Sequence, residues 1–244
     1  DKIKKGINLL ESNDLINAEI IFQELKNNKK SESISLLFLG IIQIKNKNFS
    51  KAKIFFDKIL INEPNNQDAN LNMGLIYLEE KKYENSILFF DKVIKINQNN
   101  INAQYHKGLA NFFLKKYSEA IVSFKICINL DKNFSHSYLN LGHIHLRLKN
   151  FEHSVENYLK VLKLEPRNNN AKFNLAWNYF ALIKLDDAFK YYEFRREKIN
   201  PSNKIINIKK KYTAKEWYGE NLNNKRILIV SEQGIGDNIQ FFRY

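Results

Sequence analysis

The chain is predicted to be an all-α superhelix, a solenoid of about six helix-turn-helix repeats of 34 residues, and three columns of residues predict it. Small residues recur every 34 positions at Gly6, Gly40, Gly74, Gly108, Gly142 and Ala176. Twelve positions later comes a second small residue, Ala18, Ala52, Ser86, Ala120, Ser154 and Ala188, and four beyond it a ring, Phe22, Phe56, Phe90, Phe124, Tyr158 and Tyr192. A fixed period of this length in amphipathic sequence marks supersecondary units that bury their apolar faces only by stacking on one another.

Each element follows from these columns. The first helix of a unit is centred on the glycine column. Glycine inside a helix costs about 1 kcal/mol relative to alanine, about 5 kcal/mol over the five, and close packing against the second helix is the expected compensation. The second helix carries the small-and-ring pair, whose rings are expected to fill space between units. Pro64 and Pro166 stand where second helices must end, and the Asn-rich turns Asn65-Asn66 and Asn168-Asn169-Asn170 follow them. The helical reading runs over 1–198. These residues resemble the tetratricopeptide repeat family over about four fifths of the chain.

Composition narrows the classes. With 44% hydrophobic residues, no run of 18 apolar residues and no leader-like segment, the chain is expected to be cytoplasmic with no membrane span. Its start at Asp1, inside the first helix, reads as a cut. The single cysteine, Cys127, falls in the buried column of Ile59, Val93 and Val161, so no disulfide framework exists and a core thiol is expected. The net charge of +13 is spread through Asn-, Ile- and Lys-rich segments without interleaved aromatics, so specific nucleic-acid binding is not expected. His136, His143, His145 and His153 crowd one repeat. His143 and His145 point to different faces, and His136 and His143 are about 10 Å apart along a helix, so no metal site is expected.

In a superhelix of this type the first helices line the concave groove. Two positions before the small column stand Lys4, Phe38, Asn72, His106, Asn140 and Asn174. A carboxamide both donates and accepts hydrogen bonds, so repeated asparagines can hold the backbone of an extended peptide without reading its side chains. Asn72, Asn140 and Asn174 are similar to the asparagine ladder of O-GlcNAc transferases, with His106 interrupting the series. A protein or peptide ligand in the groove is the partner this implies. Asparagine is also abundant throughout the chain, which is a competing account of the recurrence.

Past residue 198 the register fails. Residues 199–224, opened by Pro201 and containing Trp217-Tyr218-Gly219, read as a linker packed against the last repeat. Residues 225–244 read as the beginning of an α/β domain: the apolar run Arg226-Ile227-Leu228-Ile229-Val230-Ser231 has the form of a buried parallel strand. It leads into Glu232-Gln233-Gly234-Ile235-Gly236-Asp237 and a helix start capped by Asp237 and Gln240. Backbone N–H groups at such a helix start suit a phosphate. The loop lacks the third glycine of the dinucleotide fingerprint, where Ile239 stands, and has no P-loop lysine.

The pieces Tyr191-Tyr192-Glu193-Phe194-Arg195, Trp217-Tyr218-Gly219, Glu232–Asp237 and Gln240–Tyr244 resemble those of bacterial tetratricopeptide proteins with a C-terminal GT-B glycosyltransferase domain, similar to heptosyltransferases. Asn238 departs from the usual threonine. The resemblance implies Gln233, Gly234 and Gly236 in the substrate and phosphate loop, Asp237 as catalytic base, and a nucleotide-sugar donor for the full-length protein. It also implies a groove that positions a protein acceptor. Aspartate is equally a good N-cap, and one strand with one helix start is far short of a two-lobed transferase, so this stretch by itself is expected to be inactive and to hold no cofactor. A stand-alone peptide-binding adaptor is the alternative.

Overall fold

A computed structural model of the chain describes residues 2–192. Twelve helices occupy that span and form six pairs, with no strand among the described residues. The pairs are α1 (Lys2–Glu11) with α2 (Leu15–Leu25), α3 (Glu32–Lys45) with α4 (Phe49–Asn62), and α5 (Gln67–Glu79) with α6 (Tyr83–Ile96). They continue with α7 (Ile101–Phe113) and α8 (Tyr117–Leu130), α9 (Ser135–Arg147) and α10 (Phe151–Leu164), and α11 (Asn169–Ala181) and α12 (Leu185–Tyr192). Each helix packs on its neighbours in the chain. First helices also touch one another across the stack, α1 on α3, α3 on α5 and α5 on α7, which makes them the inner layer. The linker at 199–224, the strand at 226–231 and the loop at 232–237 lie outside the described residues.

The turn inside every repeat is the same device. Asn13, Lys47, Lys81, Lys115, Lys149 and Ile183, again 34 apart, all adopt φ near +60°. In the second repeat the N–H of Lys47 donates to Ile44 O at 2.8 Å and that of Asn48 to Gln43 O at 2.8 Å. These two bonds close the Schellman motif that ends a helix on a left-handed residue. None of the six positions is glycine, so each turn holds a side chain in a region that costs about 1–2 kcal/mol, and the branched Ile183 is the least suited of them. Several asparagines have a local task as N-caps: Asn48, Asn66, Asn100 and Asn168 each accept from the N–H three residues on.

The glycine column packs as tightly as its sequence cost demands. A Cβ built on any of the five glycines would meet the ring sixteen residues later in its own repeat at 2.5–2.7 Å. The rings of Phe22, Phe56, Phe90, Phe124 and Tyr158 are fully buried. They therefore sit over their own first helix as well as reaching the next unit, where Phe22 stacks on Phe38 at 4.8 Å. Cys127 is buried and free, its Sγ 3.6 Å from Ile101 O, and burial pushes its thiol up to about 11.

Candidate functional site

Burial separates the two faces of the first helices. The columns five before and two after the small residue are buried wherever they occur in repeats 2–6, as at Ser35, Ala69, Ala103, Ser137 and Ala171 and at Ile42, Ile76, Ala110, Ile144 and Asn178. The columns three before, two before and one after lie on an arc of about 100° away from that core, and most of them are half-buried. In repeats 2–6 these open columns read Leu37, Leu71, Tyr105, Leu139, Phe173; Phe38, Asn72, His106, Asn140, Asn174; and Ile41, Leu75, Leu109, His143, Trp177. Not one carries a formal charge, in a chain with 39 Lys and Arg. Phe173 and Trp177 remain 36% and 48% exposed at the far end of the stripe.

The asparagines are partly occupied. The Nδ2 of Asn72, Asn140 and Asn174 donates to the carbonyl four residues back, at 2.8 Å to Asp68, 2.9 Å to His136 and 2.8 Å to Asn170. Asn140 Nδ2 also donates to Tyr105 Oη at 3.2 Å, and Asn174 Nδ2 lies 3.2 Å from His143 Nε2. Both of these contacts tie one repeat to the next. What this column has left for a ligand is the acceptor Oδ1 of Asn72 and Asn174, one N–H on Asn72, and an Oδ1 on Asn140 that is nearly covered, the residue being only 9% exposed.

His106 differs from its column mates. Its ring stacks on Phe90 at 5.8 Å, the same relation that Phe38 has to Phe22, and its Nδ1 is buried without a partner. Burial lowers its pKa to about 4, so it is neutral at pH 7. Tyr105 stands at the centre of the stripe among His106, Phe124, Phe134 and His136, with centroids 5.2–6.1 Å away, and burial raises its phenol pKa. His143 packs on Tyr158 at 5.6 Å, and burial, then Arg147, lowers its pKa. His145 turns to the other side and stacks on His153 at 5.3 Å. Among the described residues no group of three His, Cys, Asp or Glu is placed to hold a metal ion. Nor is any helix there long and apolar enough to cross a membrane.

Sequence reasoning finds the asparagine column but not its cross-repeat partners, Tyr105 and His143, because pairing across 31 and 35 residues leaves no mark in a single repeat. Gln233, Gly234, Gly236 and Asp237 lie outside the described residues.

Comparison with known proteins agrees with this geometry. Residues 135–168 match the family model for the tetratricopeptide repeat, which is one whole repeat of this register. The described residues form an all-helical solenoid with a tetratricopeptide-like fold. Residues 45–127 match the model described as anaphase-promoting complex, cyclosome, subunit 3. Among solved structures, the solenoid is similar to Pseudomonas aeruginosa pilF at TM-score 0.73 and 15% identity, covering 83% of this chain and 91% of that one. It is similar to a tetratricopeptide repeat protein from Parabacteroides merdae at TM-score 0.68 and 20% identity, covering 82% and 79%. It is also similar to MamA from Desulfovibrio magneticus at TM-score 0.61 and 23% identity, covering 69% and 97%. At these identities the likeness is one of fold. No curated protein matches the chain.

Proposed function

We propose that the tetratricopeptide solenoid is a protein-interaction scaffold whose inner stripe binds an extended, uncharged stretch of peptide. The observation that carries this reading is the absence of any charged residue from fifteen open positions of repeats 2–6, in a chain of net charge +13. Leucines, aromatics and amide acceptors fill these three columns in repeats 2–6, while Lys4 in the first repeat and Lys45, Asp68, Glu79 and Arg147 at the helix ends bound the uncharged stripe. Leu71, Leu75, Leu109 and Leu139 offer shallow apolar contacts, while Oδ1 of Asn72 and Asn174, and to a lesser extent the nearly covered Oδ1 of Asn140, can accept backbone N–H groups of a ligand strand. His106, being packed like Phe38, contributes a ring wall more than a hydrogen bond.

The test is a peptide panel of equal length, apolar-neutral, acidic and basic, titrated against the protein by fluorescence anisotropy. Neutral peptides are expected to bind best, and replacing Asn72, Asn140 and Asn174 by alanine should weaken them about tenfold, or about 1.4 kcal/mol. Preference for the acidic peptides, or no change in the triple variant, would count against the groove.

The tail motifs carry the reading one step further. Their resemblance to tetratricopeptide glycosyltransferases makes the groove an acceptor-recruiting surface for a cytoplasmic enzyme that uses a nucleotide sugar, with Asp237 as base and Gln233, Gly234 and Gly236 at the donor phosphate. What supports this step is the resemblance alone. Radiolabelled sugar transfer to a groove-bound peptide by the full-length protein, lost in Asp237→Ala, is the expected result; no transfer from any nucleotide sugar leaves the peptide-binding adaptor.

A further inference from the structure

A second surface lies on the other layer of the solenoid. Ile20, Ile54, Leu88 and Val122 occupy one column of the second helices, 34 residues apart, and are 53%, 56%, 63% and 58% exposed. In repeats 5 and 6 the column changes to Glu156 and Lys190. Scattered exposed aliphatics are ordinary, but four in register make a continuous ridge over repeats 1–4. They present roughly 400 Å² of apolar surface, and roughly 700 Å² with the exposed Ile16 and Ile61 beside them, comparable to or above the largest patch on a typical monomer.

We propose that this ridge is a self-association surface on which a second copy of the chain lies antiparallel, repeat 2 of one copy over repeat 3 of the other. The charges flanking the ridge argue for this occupant. A two-fold axis between repeats 2 and 3 sets the residue three after each ridge position opposite the residue four after its counterpart. That places Asp57 opposite Lys92 and Lys58 opposite Asp91, and in the outer repeats Glu24 opposite Lys125. On the other flank it places Lys51 opposite Glu84. All eight side chains are exposed, and every one of these pairs is of opposite sign, repeated twice by the symmetry. The parallel arrangement, repeat 2 over repeat 2, instead sets Lys58 against Lys51 and Asp91 against Glu84. The sequence thus selects one pairing direction and penalises the other. The four ridge residues of both copies supply about 800 Å² of apolar area, which the flanking ion pairs extend toward the size of specific interfaces, and in the outer repeats the same pairing sets Glu119 opposite Ile16. Asp91 also reaches Lys107 at 2.7 Å and Glu24 reaches Lys2 at 3.2 Å within the chain, contacts exposed enough to be shared or exchanged.

The test is sedimentation velocity on the full chain from about 1 to 100 μM. The expected species is a dimer near twice the 28.9 kDa chain mass. Leu88→Glu, which faces solvent in the monomer, should return it to monomer with unchanged helical circular dichroism. Asp57→Lys and Lys92→Asp should each weaken the dimer at least tenfold, and the double variant should restore it, since the pair is merely reversed. A monomer throughout that range, a dimer indifferent to Leu88→Glu, or a double variant weaker than either single one would overturn the proposal.

Discussion

Replacing Gly40 by alanine should destabilise the solenoid, although helix propensity alone predicts the opposite. The new Cβ would lie 2.5 Å from both Cε1 and Cζ of Phe56. Carbon atoms pack best about 3.5–4.0 Å apart, so the ring has to retreat by about 1 Å. Phe56 is fully buried in a cluster with Ala52, Ile59, Ala69 and Met73, which leaves no free direction. Overpacking of this kind costs about 1–3 kcal/mol, against a propensity gain of about 1 kcal/mol, for a net loss of about 1 kcal/mol. Urea unfolding followed by circular dichroism measures the sign. Phe56→Leu supplies the second leg of a cycle: it should cost less in the Gly40→Ala background than in the parent, with a coupling of about 1 kcal/mol. The sixth repeat is the built-in control, since it already carries Ala176 and its ring, Tyr192, is slightly exposed. Ala176→Gly should therefore lose about 1 kcal/mol. Stabilisation by Gly40→Ala, or no coupling to Phe56, would refute the close-packing account of the glycine column.

Other consequences follow from the same packing. Ile183→Gly should raise stability by about 1 kcal/mol in a urea melt, because a branched residue at φ 58° is replaced by one that adopts it freely; a loss would mean the turn is not strained. Asn178→Ile should also stabilise, by about 1 kcal/mol, since Asn178 is fully buried with an unpaired Oδ1 in a column where other repeats hold Ile42, Ile76 and Ile144. Acid should loosen the fold through His106. Its folded pKa of about 4 lies below the ordinary value of 6.5, so the unfolded chain binds the extra proton between those values. That contribution is fully present above pH 6.5 and is lost as the pH falls toward 4, up to about 3 kcal/mol. The lowered pKa values of His143 and His145 act in the same direction. His106→Phe should flatten the stability profile between pH 6.5 and 4, and an unchanged slope would assign the acid sensitivity elsewhere.

The repeat register is legible because it is written in covalent spacing: a column of five glycines and a column of rings have few meanings other than helix pairs in close contact. The termini of the helices are legible in part, through Pro64, Pro166 and the Asn-rich turns after them, while the capping role of Asn48, Asn66, Asn100 and Asn168 appears only in the structure. The left-handed turn residues are not, since lysine at Lys47, Lys81, Lys115 and Lys149 gives no sign of positive φ, which glycine would have given. The asparagine column is visible as composition, but its state is not. Whether an amide is open to a ligand depends on partners in the neighbouring repeat, such as Tyr105 for Asn140, and on the carbonyl one turn back. His106 groups with the asparagines by its column; burial against Phe90 sets it apart. The ridge of Ile20, Ile54, Leu88 and Val122 is plain in the sequence once second helices are aligned, yet only exposure distinguishes it from a core column.

The central claim is that binding takes place on the uncharged inner stripe. Isothermal titration of a neutral peptide selected on the protein, against Leu109→Glu and Leu88→Glu in parallel, addresses it directly. Leu109 lies in the stripe and Leu88 on the opposite layer. The account predicts that Leu109→Glu weakens binding at least tenfold while Leu88→Glu leaves it unchanged. Binding that survives Leu109→Glu and falls with Leu88→Glu would contradict it.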